Sequence, residues 1–276
     1  MPQFDYYSAA LEARPEDVIP AILERYSHAS PDYDKPVNGY ESAIKIHRGD
    51  VDLARIQWGG NTGGMVQVRA TGENAPQAAE IVKELWPHHR VQRADVCEDY
   101  SEPDVFETMC SHAWWIAEKH SLTASQLGDW ERGDPDNKGR TLYIGSRKSL
   151  GYLRIYEKGK ERGTQSEKGD MGLSPDLHHA RSECEIKPQN KIQAYQMASL
   201  APRDFWRVTP WLNEYSTILF QTDMERIRLT RVSKTSSDEL ILAHMLEQYG
   251  PAMERLAGAN GEEWVIDQIR KRIRGG

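Results

Sequence analysis

The sequence predicts an α+β fold with a large antiparallel sheet. Several segments alternate apolar and polar residues and are separated by Gly, Asn and Asp, which is the pattern of antiparallel strands with one covered face. Other segments place apolar residues three or four positions apart, as amphipathic helices do. From about residue 188 onward the helical pattern continues alone, so we expect helices to back the sheet and to form a helical C-terminal region.

The first hundred residues predict a strand, a helix, three strands, a helix and a strand. The segments are, in this order, FDYYSAALEA, RPEDVIPAILERY, YESAIKIHRGD, VDLARIQWGG, GMVQVRATG, NAPQAAEIVKELW and HRVQRADVCEDY. A proline in the first turn and acidic residues behind it mark the start of the first helix. Residues 59–64, GGNTGG, lie between two strand patterns and lack the Lys-Ser/Thr pair of a phosphate-binding loop, so they predict a hairpin turn.

A second unit repeats this order of elements without a visible sequence repeat, which suggests two fused strand-helix-strand units. It runs through the helix EPDVFETMCSHAWWIAEKHSL, a hairpin within residues 139–161 and the strand HHARSECEIK. The polar, glycine-rich residues 159–176 predict a mobile loop. The C-terminal helices are predicted in PQNKIQAYQMASL, PRDFWRVTPWLNEYSTILF, SSDELILAHMLEQYGPAMERLAG and GEEWVIDQIRKRIRGG. Four tryptophans at helical spacings are expected in the core: Trp114, Trp115, Trp206 and Trp211.

Composition narrows the class of protein. Three cysteines, Cys97, Cys110 and Cys184, are an odd number without paired spacing, which indicates neither a disulfide framework nor a zinc site. No basic segment followed by an apolar run opens the chain, and no apolar stretch approaches the roughly 18 residues that span a bilayer, so we expect a soluble, cytoplasmic protein. The net charge of −7 argues against general attraction to polyanions, but local basic patches can still bind phosphate.

Three of the predicted strands have a polar face, because successive side chains of a strand point to opposite sides. The polar faces carry Tyr152, Arg154, Tyr156 and Lys158 in the first strand, Arg93, Asp95, Cys97 and Asp99 in the second, and Arg181, Glu183, Glu185 and Lys187 in the third. The opposite faces are largely apolar and suited to a covering of helices. If the three strands are neighbours in one sheet, their polar faces converge on one surface.

Such a surface holds the groups that phosphoryl transfer needs. Hard oxygen ligands from Asp95, Glu183 and Glu185 would hold a magnesium or manganese ion. The ion would polarise a phosphodiester, arginines would stabilise its charge, and Tyr156 would attack phosphorus to give a phosphotyrosine linkage. The alternative is structural, since a charged strand face is commonly the solvated side of a sheet, with Arg and Glu paired across strands and Tyr used for packing.

The segment TLYIGSRKSLGYLRIYEKGKE resembles the signature of the Rep_trans family, the rolling-circle replication initiators of small plasmids and filamentous phages. The family pattern is Tyr, one or two residues, Gly-x-Arg-x-Ser, then Arg-[Ile/Val]-Tyr-x-Lys. The matching positions are Tyr143, Gly145, Arg147, Ser149, Arg154, Ile155, Tyr156 and Lys158. The resemblance implies that Tyr156 is the nicking tyrosine, and that Arg154 or Lys158 neutralises the phosphate.

Two further strands are similar to the family's strands and come in the same order. Its Arg-x-Asp-x-x-x-Asp strand is matched by Arg93, Asp95 and Asp99, and its Arg-x-Glu-x-Glu-x-Lys strand by Arg181, Glu183, Glu185 and Lys187. The resemblance implies metal ligands among Asp95, Glu183 and Glu185. His178 is a further candidate ligand, because a plasmid member has a histidine at the corresponding position.

The resemblance covers roughly residues 90–190 and has departures. Leu150 and Gly151 stand where plasmid members commonly have an acidic and a basic residue, and Cys97 and Glu98 interrupt an otherwise apolar strand. These changes leave the chemical groups intact.

Other basic residues and histidines suit a DNA substrate. Arg147 and Lys148 form a basic turn suited to phosphate contacts, and Arg93, Arg181 and Lys187 carry positive charge on the polar strand faces. The adjacent histidines of PHHR and LHHAR would face opposite sides of a strand, so at most one of each pair would join a site. The C-terminal basic runs are either solvated faces or surfaces for duplex or origin binding, and contain Arg226, Arg228, Arg231, Lys234, Arg270, Lys271, Arg272 and Arg274.

The predicted function is nicking and rejoining of origin DNA in rolling-circle replication, through a 5′-phosphotyrosine intermediate. The resemblance also implies a homodimer, in which a second tyrosine closes the circle, and a host helicase as partner. Tyr152, Tyr143 or another subunit would supply that second tyrosine. Two alternatives stay open: a non-catalytic DNA-binding regulator, and a structural protein of a plasmid or phage.

The predicted domain organisation follows from these assignments. Residues 1–190 would form the nicking domain, with two related halves at about 1–100 and 101–190. Residues 191–276 would form a helical region used for DNA binding or dimerisation.

Overall fold

A computed structural model describes residues 1–128, 130, 139–160, 178–230, 250 and 252–274 of the chain. Within these residues ten strands form a single antiparallel sheet, which confirms the predicted α+β class. The strands are β1 (Gln3–Leu11), β2 (Ser30–Tyr33), β3 (Ser42–Arg48), β4 (Val51–Trp58), β5 (Val66–Thr71), β6 (Arg90–Tyr100), β7 (Ala124–Leu127), β8 (Thr141–Gly145), β9 (Gly151–Tyr156) and β10 (Ala180–Ile186).

The helices in the same part of the chain include α1 (Pro15–Arg25), α2 (Ala75–Leu85), α3 (Val105–Lys119), α4 (Lys191–Gln196), α5 (Pro202–Phe205) and α6 (Pro210–Phe220). Near the C-terminus, residues 252–260 are helical and Glu262–Arg274 form a further helix. These positions agree with the predicted helices that fall on the described residues. The predicted mobile loop at 159–176, apart from its first two residues, and most of the helix predicted at 236–258 lie outside the described part of the chain.

The sheet consists of two halves with the same topology. Its strand order is β2-β3-β4-β5-β1-β6-β10-β9-β8-β7. In each half the first strand lies at the centre of the sheet and the last strand pairs with it. The other three strands lie beyond the last one, in reverse order of sequence, out to the edge. β1 and β6 join the halves in antiparallel pairing. The halves therefore divide before β6, earlier than the expected boundary near residue 100, because β6 pairs with β10 as β1 pairs with β5.

The two strands at the edges of the sheet were not predicted from the sequence. β2 has the sequence SPDY and is exposed along its length, and β7 has the sequence ASQL. Each contains four residues, so alternation has too few positions to show. Short strands, and a proline within one, are common at sheet edges, where they limit pairing with other chains.

The glycine-rich segment at 59–64 forms the predicted hairpin turn between β4 and β5. Gly59, Gly60, Gly63 and Gly64 all have positive φ angles, between 69° and 78°, which residues with a Cβ rarely adopt. At Gly60 a Cβ would also lie 2.1 Å from the carbonyl oxygen of Gly39. This turn therefore requires glycine for both backbone conformation and space.

The hydrophobic core lies between one face of the sheet and the helices. Leu153 and Ile155 of β9 and Cys184 of β10 are fully buried there, as the alternation predicted. Trp206 and Trp211 also belong to this core. The prediction was wrong for Trp114 and Trp115, which are 41% and 48% exposed, because they lie on the part of α3 that faces away from the sheet.

The chain divides into two compact units, Met1–Thr230 and Arg231–Gly276. The first unit includes α4 to α6, since Phe205, Leu212 and Tyr215 are buried in the same core as the strands. In the described part of both units, no helix is long and apolar enough to cross a bilayer.

Candidate active site

The polar faces of β6, β9 and β10 meet at the middle of the second half of the sheet. β10 lies between β6 and β9, so each of its residues has a neighbour on both sides. Glu185 is opposite Asp95 and Tyr152, Glu183 is opposite Cys97 and Arg154, and Arg181 is opposite Asp99 and Tyr156. The convergence of the three predicted strands on one surface is therefore observed.

Three carboxylates form the floor of this surface. Glu183, Asp95 and Glu185 are only 1%, 2% and 3% exposed. Arg154 donates hydrogen bonds to Glu183 and Asp95, and Arg93 forms ion pairs with Asp95 at 2.5 Å and with Glu185 at 2.8 Å. Each arginine thus bridges two carboxylates of neighbouring strands.

Burial changes the acidity of two of these carboxylates. It raises the pKa of Glu183 to about 7, although the positive charge of Arg154 opposes the shift. It also raises the pKa of Asp95, against the opposing effect of Arg93. For both carboxylates, the loss of hydration on burial therefore outweighs the effect of the arginine partners.

Tyr156 lies at the end of β9, above this floor. Its hydroxyl donates a hydrogen bond to Oε2 of Glu183 at 3.2 Å. Arg154 lies two residues before it on the same strand face, with its side chain 25% exposed. The ammonium group of Lys158 is 5.6 Å from the centre of the Tyr156 ring. A tyrosine hydroxyl, a buried carboxylate that accepts its hydrogen bond and two cations are thus close together.

Arg181 lies directly opposite Tyr156 on the neighbouring strand. Its guanidinium donates two hydrogen bonds to Asp99, at 2.6 and 2.7 Å, and one to Asp5 at 2.7 Å. Nε2 of His179 lies 3.3 Å from the same Asp99. Burial raises the pKa of Asp99, but its contacts with Arg181 and His179 lower it more strongly, so the net shift is downward.

Two of these supporting residues were missed by the sequence analysis. Asp5 comes from β1, at the opposite end of the chain, and no local pattern connects it to Arg181. Of the adjacent histidines, His179 is buried against Asp99 whereas His178 is exposed. The rule that adjacent strand residues face opposite sides could have separated them, but only the tertiary contact identifies His179 as the inner one.

The basic turn joins β8 to β9, so it lies at the start of β9, whereas Tyr156 lies at its end. Arg147 and Lys148 are exposed, and the guanidinium of Arg147 lies 5.4 Å from the centre of the Tyr152 ring. Tyr152 in turn stacks on Tyr143, with ring centroids 5.7 Å apart. Lys187 reaches the same turn, because its ammonium group contacts the carbonyl oxygen of Arg147 at 3.4 Å and Glu185 at 2.5 Å.

The donor set fits a divalent metal ion in its chemistry. Asp95, Glu183 and Glu185 offer oxygen ligands, which magnesium and manganese prefer. Burial raises the pKa values of Asp95 and Glu183. As described, the arginines bridge these carboxylates in pairs. Among the described residues no three His, Cys, Asp or Glu side chains are grouped closely enough to hold one ion.

Comparisons with known proteins agree with this arrangement. The chain is similar in fold to the rolling circle replication initiator protein from Geobacillus stearothermophilus, with a TM-score of 0.52 and 16% sequence identity over 87% of this chain and 90% of that one. No curated protein sequence matches the chain. The family model described as replication initiation factor, Rep_trans, matches residues 91–269, which include the whole of the surface formed by β6, β9 and β10. The chain therefore belongs to the Rep_trans family of replication initiation factors.

Proposed function

We propose that this replication initiation factor starts rolling-circle replication by nicking origin DNA with Tyr156. The hydrogen bond between the Tyr156 hydroxyl and Glu183 is the observation that carries the proposal, because it joins a partly buried tyrosine hydroxyl to a buried acceptor. A nucleophile oriented by a base within hydrogen-bond reach is the arrangement that covalent catalysis requires. The fold shared with a rolling circle initiator supports the same reaction.

The reaction transfers a phosphoryl group from DNA to the tyrosine. Oη of Tyr156 attacks the phosphorus, the bond from phosphorus to the 3′ oxygen breaks, and the 5′ phosphate stays covalently linked to the enzyme. The phenolic proton passes to Glu183. The released 3′ oxygen takes up a proton from water, to which Glu183 later returns its own, and leaves a hydroxyl that a polymerase can extend. Reversal of this step by a new 3′ hydroxyl rejoins the strand.

The surrounding charges stabilise the phosphate during this transfer. Arg154 and Lys158 are within reach of the group that Tyr156 attacks, and cations placed where negative charge develops lower the barrier. Arg181, held by Asp99 and Asp5, positions Tyr156 instead of contacting DNA directly, since it is 6% exposed. A magnesium or manganese ion would supply polarisation of the phosphodiester. Asp95, Glu183 and Glu185 are the oxygen donors proposed for it, and they would have to draw closer together than in the described structure, where they are not grouped to hold one ion.

The decisive test is a covalent adduct. Purified protein is incubated with labelled single-stranded or supercoiled DNA from the replicon that encodes it, with manganese, and analysed by denaturing electrophoresis. We expect an adduct with the wild type and none with Tyr156→Phe, because the variant loses only the attacking oxygen. Tyr143→Phe and Tyr152→Phe, on the same strand faces, are matched controls that should keep the adduct.

An adduct that persists in Tyr156→Phe would overturn the proposal and point to Tyr143 or Tyr152. Salt-sensitive DNA binding without any adduct, in metal, would favour the non-catalytic regulator. The homodimer and the host helicase remain proposals drawn from the family. Light scattering of the protein with and without DNA tests the former, and unwinding assays with host extract test the latter.

A further inference from the structure

A row of basic side chains crosses the first half of the sheet, far from Tyr156 along the chain. Lys45 on β3 is directly opposite Arg55 on β4, and Arg55 is directly opposite Arg69 on β5. Directly opposed residues of antiparallel strands place their side chains on the same face. We call Lys45, Arg55 and Arg69 the basic row.

The basic row lies on the same face of the sheet as the candidate active site. Arg69 is opposite Ser8 of β1, and Ser8 is opposite Arg93 of β6. Arg93 contacts Asp95 and Glu185 on the site's floor. The row therefore continues through one small residue into the arginine that borders the carboxylates.

The hydrophobic core lies on the other face of these strands. The residues that alternate with the basic row, including Ile44, Ile56 and Val68, are buried in the core on the other side of the sheet. Lys45, Arg55 and Arg69 line a cleft of about 140 Å³ that opens on the polar face, together with Asp34, Asp52 and Thr71. The row is thus accessible to a ligand from solvent.

Intramolecular ion pairs leave the basic row with an excess of positive charge. Arg55 pairs with Asp34 at 3.1 Å and Lys45 with the exposed Asp52 at 3.5 Å. Among the described residues Arg69 has no ion pair and no side-chain hydrogen bond. Like charges directly opposite each other destabilise a sheet, so the pairing of Arg55 with Arg69 has a cost that an anionic ligand would offset.

We propose that the basic row is a second DNA-binding site, which holds backbone phosphates of the DNA that flanks the nick. Four inter-strand spacings and six residues of strand rise separate Arg69 from Tyr156, which places the row roughly 28 Å from the nucleophile. At about 3.4 Å per nucleotide of duplex, that distance corresponds to about eight nucleotides. This site deepens the proposed function, on which it rests, by extending the DNA contact across both halves of the sheet.

The test measures how tightly the wild type and a double variant, Lys45→Gln with Arg69→Gln, bind DNAs of two lengths. The double variant leaves the ion pair and hydrogen bond of Arg55 in place. Both DNAs are centred on the origin segment that the wild type protects in a footprinting assay. One extends about five nucleotides to either side of that centre and the other about fifteen, below and above the reach estimated from phosphate spacing. Affinity is measured by fluorescence anisotropy without added metal over a series of salt concentrations. Arg25→Gln is the control for loss of one positive charge elsewhere on the surface. Arg25 lies on α1, which packs on the core side of the sheet through Val18 and Ile22.

We expect the double variant to bind the long DNA about tenfold more weakly, with a salt slope lower by about 1.5, because two phosphate contacts are lost. Binding of the short DNA, adduct formation on it and the thermal unfolding midpoint should stay at the wild-type level. Arg25→Gln should match the wild type on both DNAs.

Equal affinity of the double variant and the wild type for the long DNA would overturn the second site. So would an equal loss on both DNAs, since that would indicate an effect on the active site or on folding. Failure of the proposed nicking function gives a different result: the wild type forms no adduct, while the selective loss on the long DNA persists.

Discussion

Glu183 is almost completely buried and accepts a hydrogen bond from the candidate nucleophile. Burial favours the neutral form of its carboxyl group. Its pKa is about 7 in the folded chain, against an ordinary value of 4.5. The folded state therefore binds more protons than the unfolded state between these values. Its contribution to stability is fully present below about pH 4.5 and is lost as the pH rises through about 7.

This shift predicts a pH-dependent difference between the wild type and Glu183→Gln. The free energy of unfolding of the wild type should fall relative to that of the variant between about pH 5 and pH 8, because the variant has no buried charge to form. Urea unfolding at a series of pH values measures it.

Glu214→Gln is the control with the opposite sign. Lys119 and His120 lower the pKa of Glu214, so its contribution to stability is present above its ordinary pKa and is lost on acidification. Parallel pH profiles of the wild type and Glu183→Gln would show that Glu183 ionises in the folded chain as it does in the unfolded one.

The strand β9 depends on close packing against α6 at its first residue. A Cβ at Gly151 would lie 2.7 Å from Cδ1 of Leu212 and 3.2 Å from Cγ2 of Thr209. Thr209 is the N-cap of α6, where its side chain accepts a hydrogen bond from the backbone of Leu212. The contact leaves no room for a side chain at residue 151.

Gly151→Ala should therefore destabilise the first unit by about 1–3 kcal/mol, because Leu212 must move within a filled core. Thermal or urea unfolding measures the change. Gly258→Ala is the matched control, since it lies in helical residues 252–260 with nothing within 4 Å of the added Cβ, and should be neutral or slightly stabilising. Equal stability of Gly151→Ala and the wild type would show that α6 adapts without cost.

Along the strands, most elements were predictable from their patterns because alternation is a local property. β9 and β10 have one apolar and one polar face over six and seven residues, which is enough to reveal the period. β2 and β7 have four residues each and were missed. Tertiary packing, not local pattern, also decides that Trp114 and Trp115 of α3 face away from the core.

The chain divides into two compact units. Some of the helices after residue 190 belong to the first unit and the others to the second. α4 to α6 belong to Met1–Thr230, in which Trp206 and Tyr215 complete the core. The predicted division at residue 190 into a nicking domain and a helical region used for DNA binding or dimerisation stays a prediction about function.

A fragment that ends at Thr230 should fold on its own. Its core residues all lie before that position, so circular dichroism should show cooperative thermal unfolding with a midpoint within a few degrees of that of the full chain. A fragment that ends at residue 190 is the control, because it lacks Phe205, Trp206 and Leu212, and should unfold at a much lower temperature or not fold. Loss of cooperative unfolding in both fragments would show that Arg231–Gly276 stabilise the first unit.

The amino-acid sequence alone determined the fold class, the polar face of each strand and the tyrosine that we propose as nucleophile. Period-two alternation and the spacing of Arg154, Tyr156 and Lys158 are readable within a few residues, since each depends only on near neighbours in the chain. The family to which the chain belongs was predicted from that same hairpin and confirmed by the match over residues 91–269.

Strand order, by contrast, could be known only from the folded chain. The pairing of β1 with β6 brings Asp5 to Arg181, and the pairing of β3, β4 and β5 aligns the basic row with the site. These contacts join residues that are tens to more than a hundred positions apart. The packing of the whole sheet against its helices selects them, because many strand orders satisfy the same local alternation.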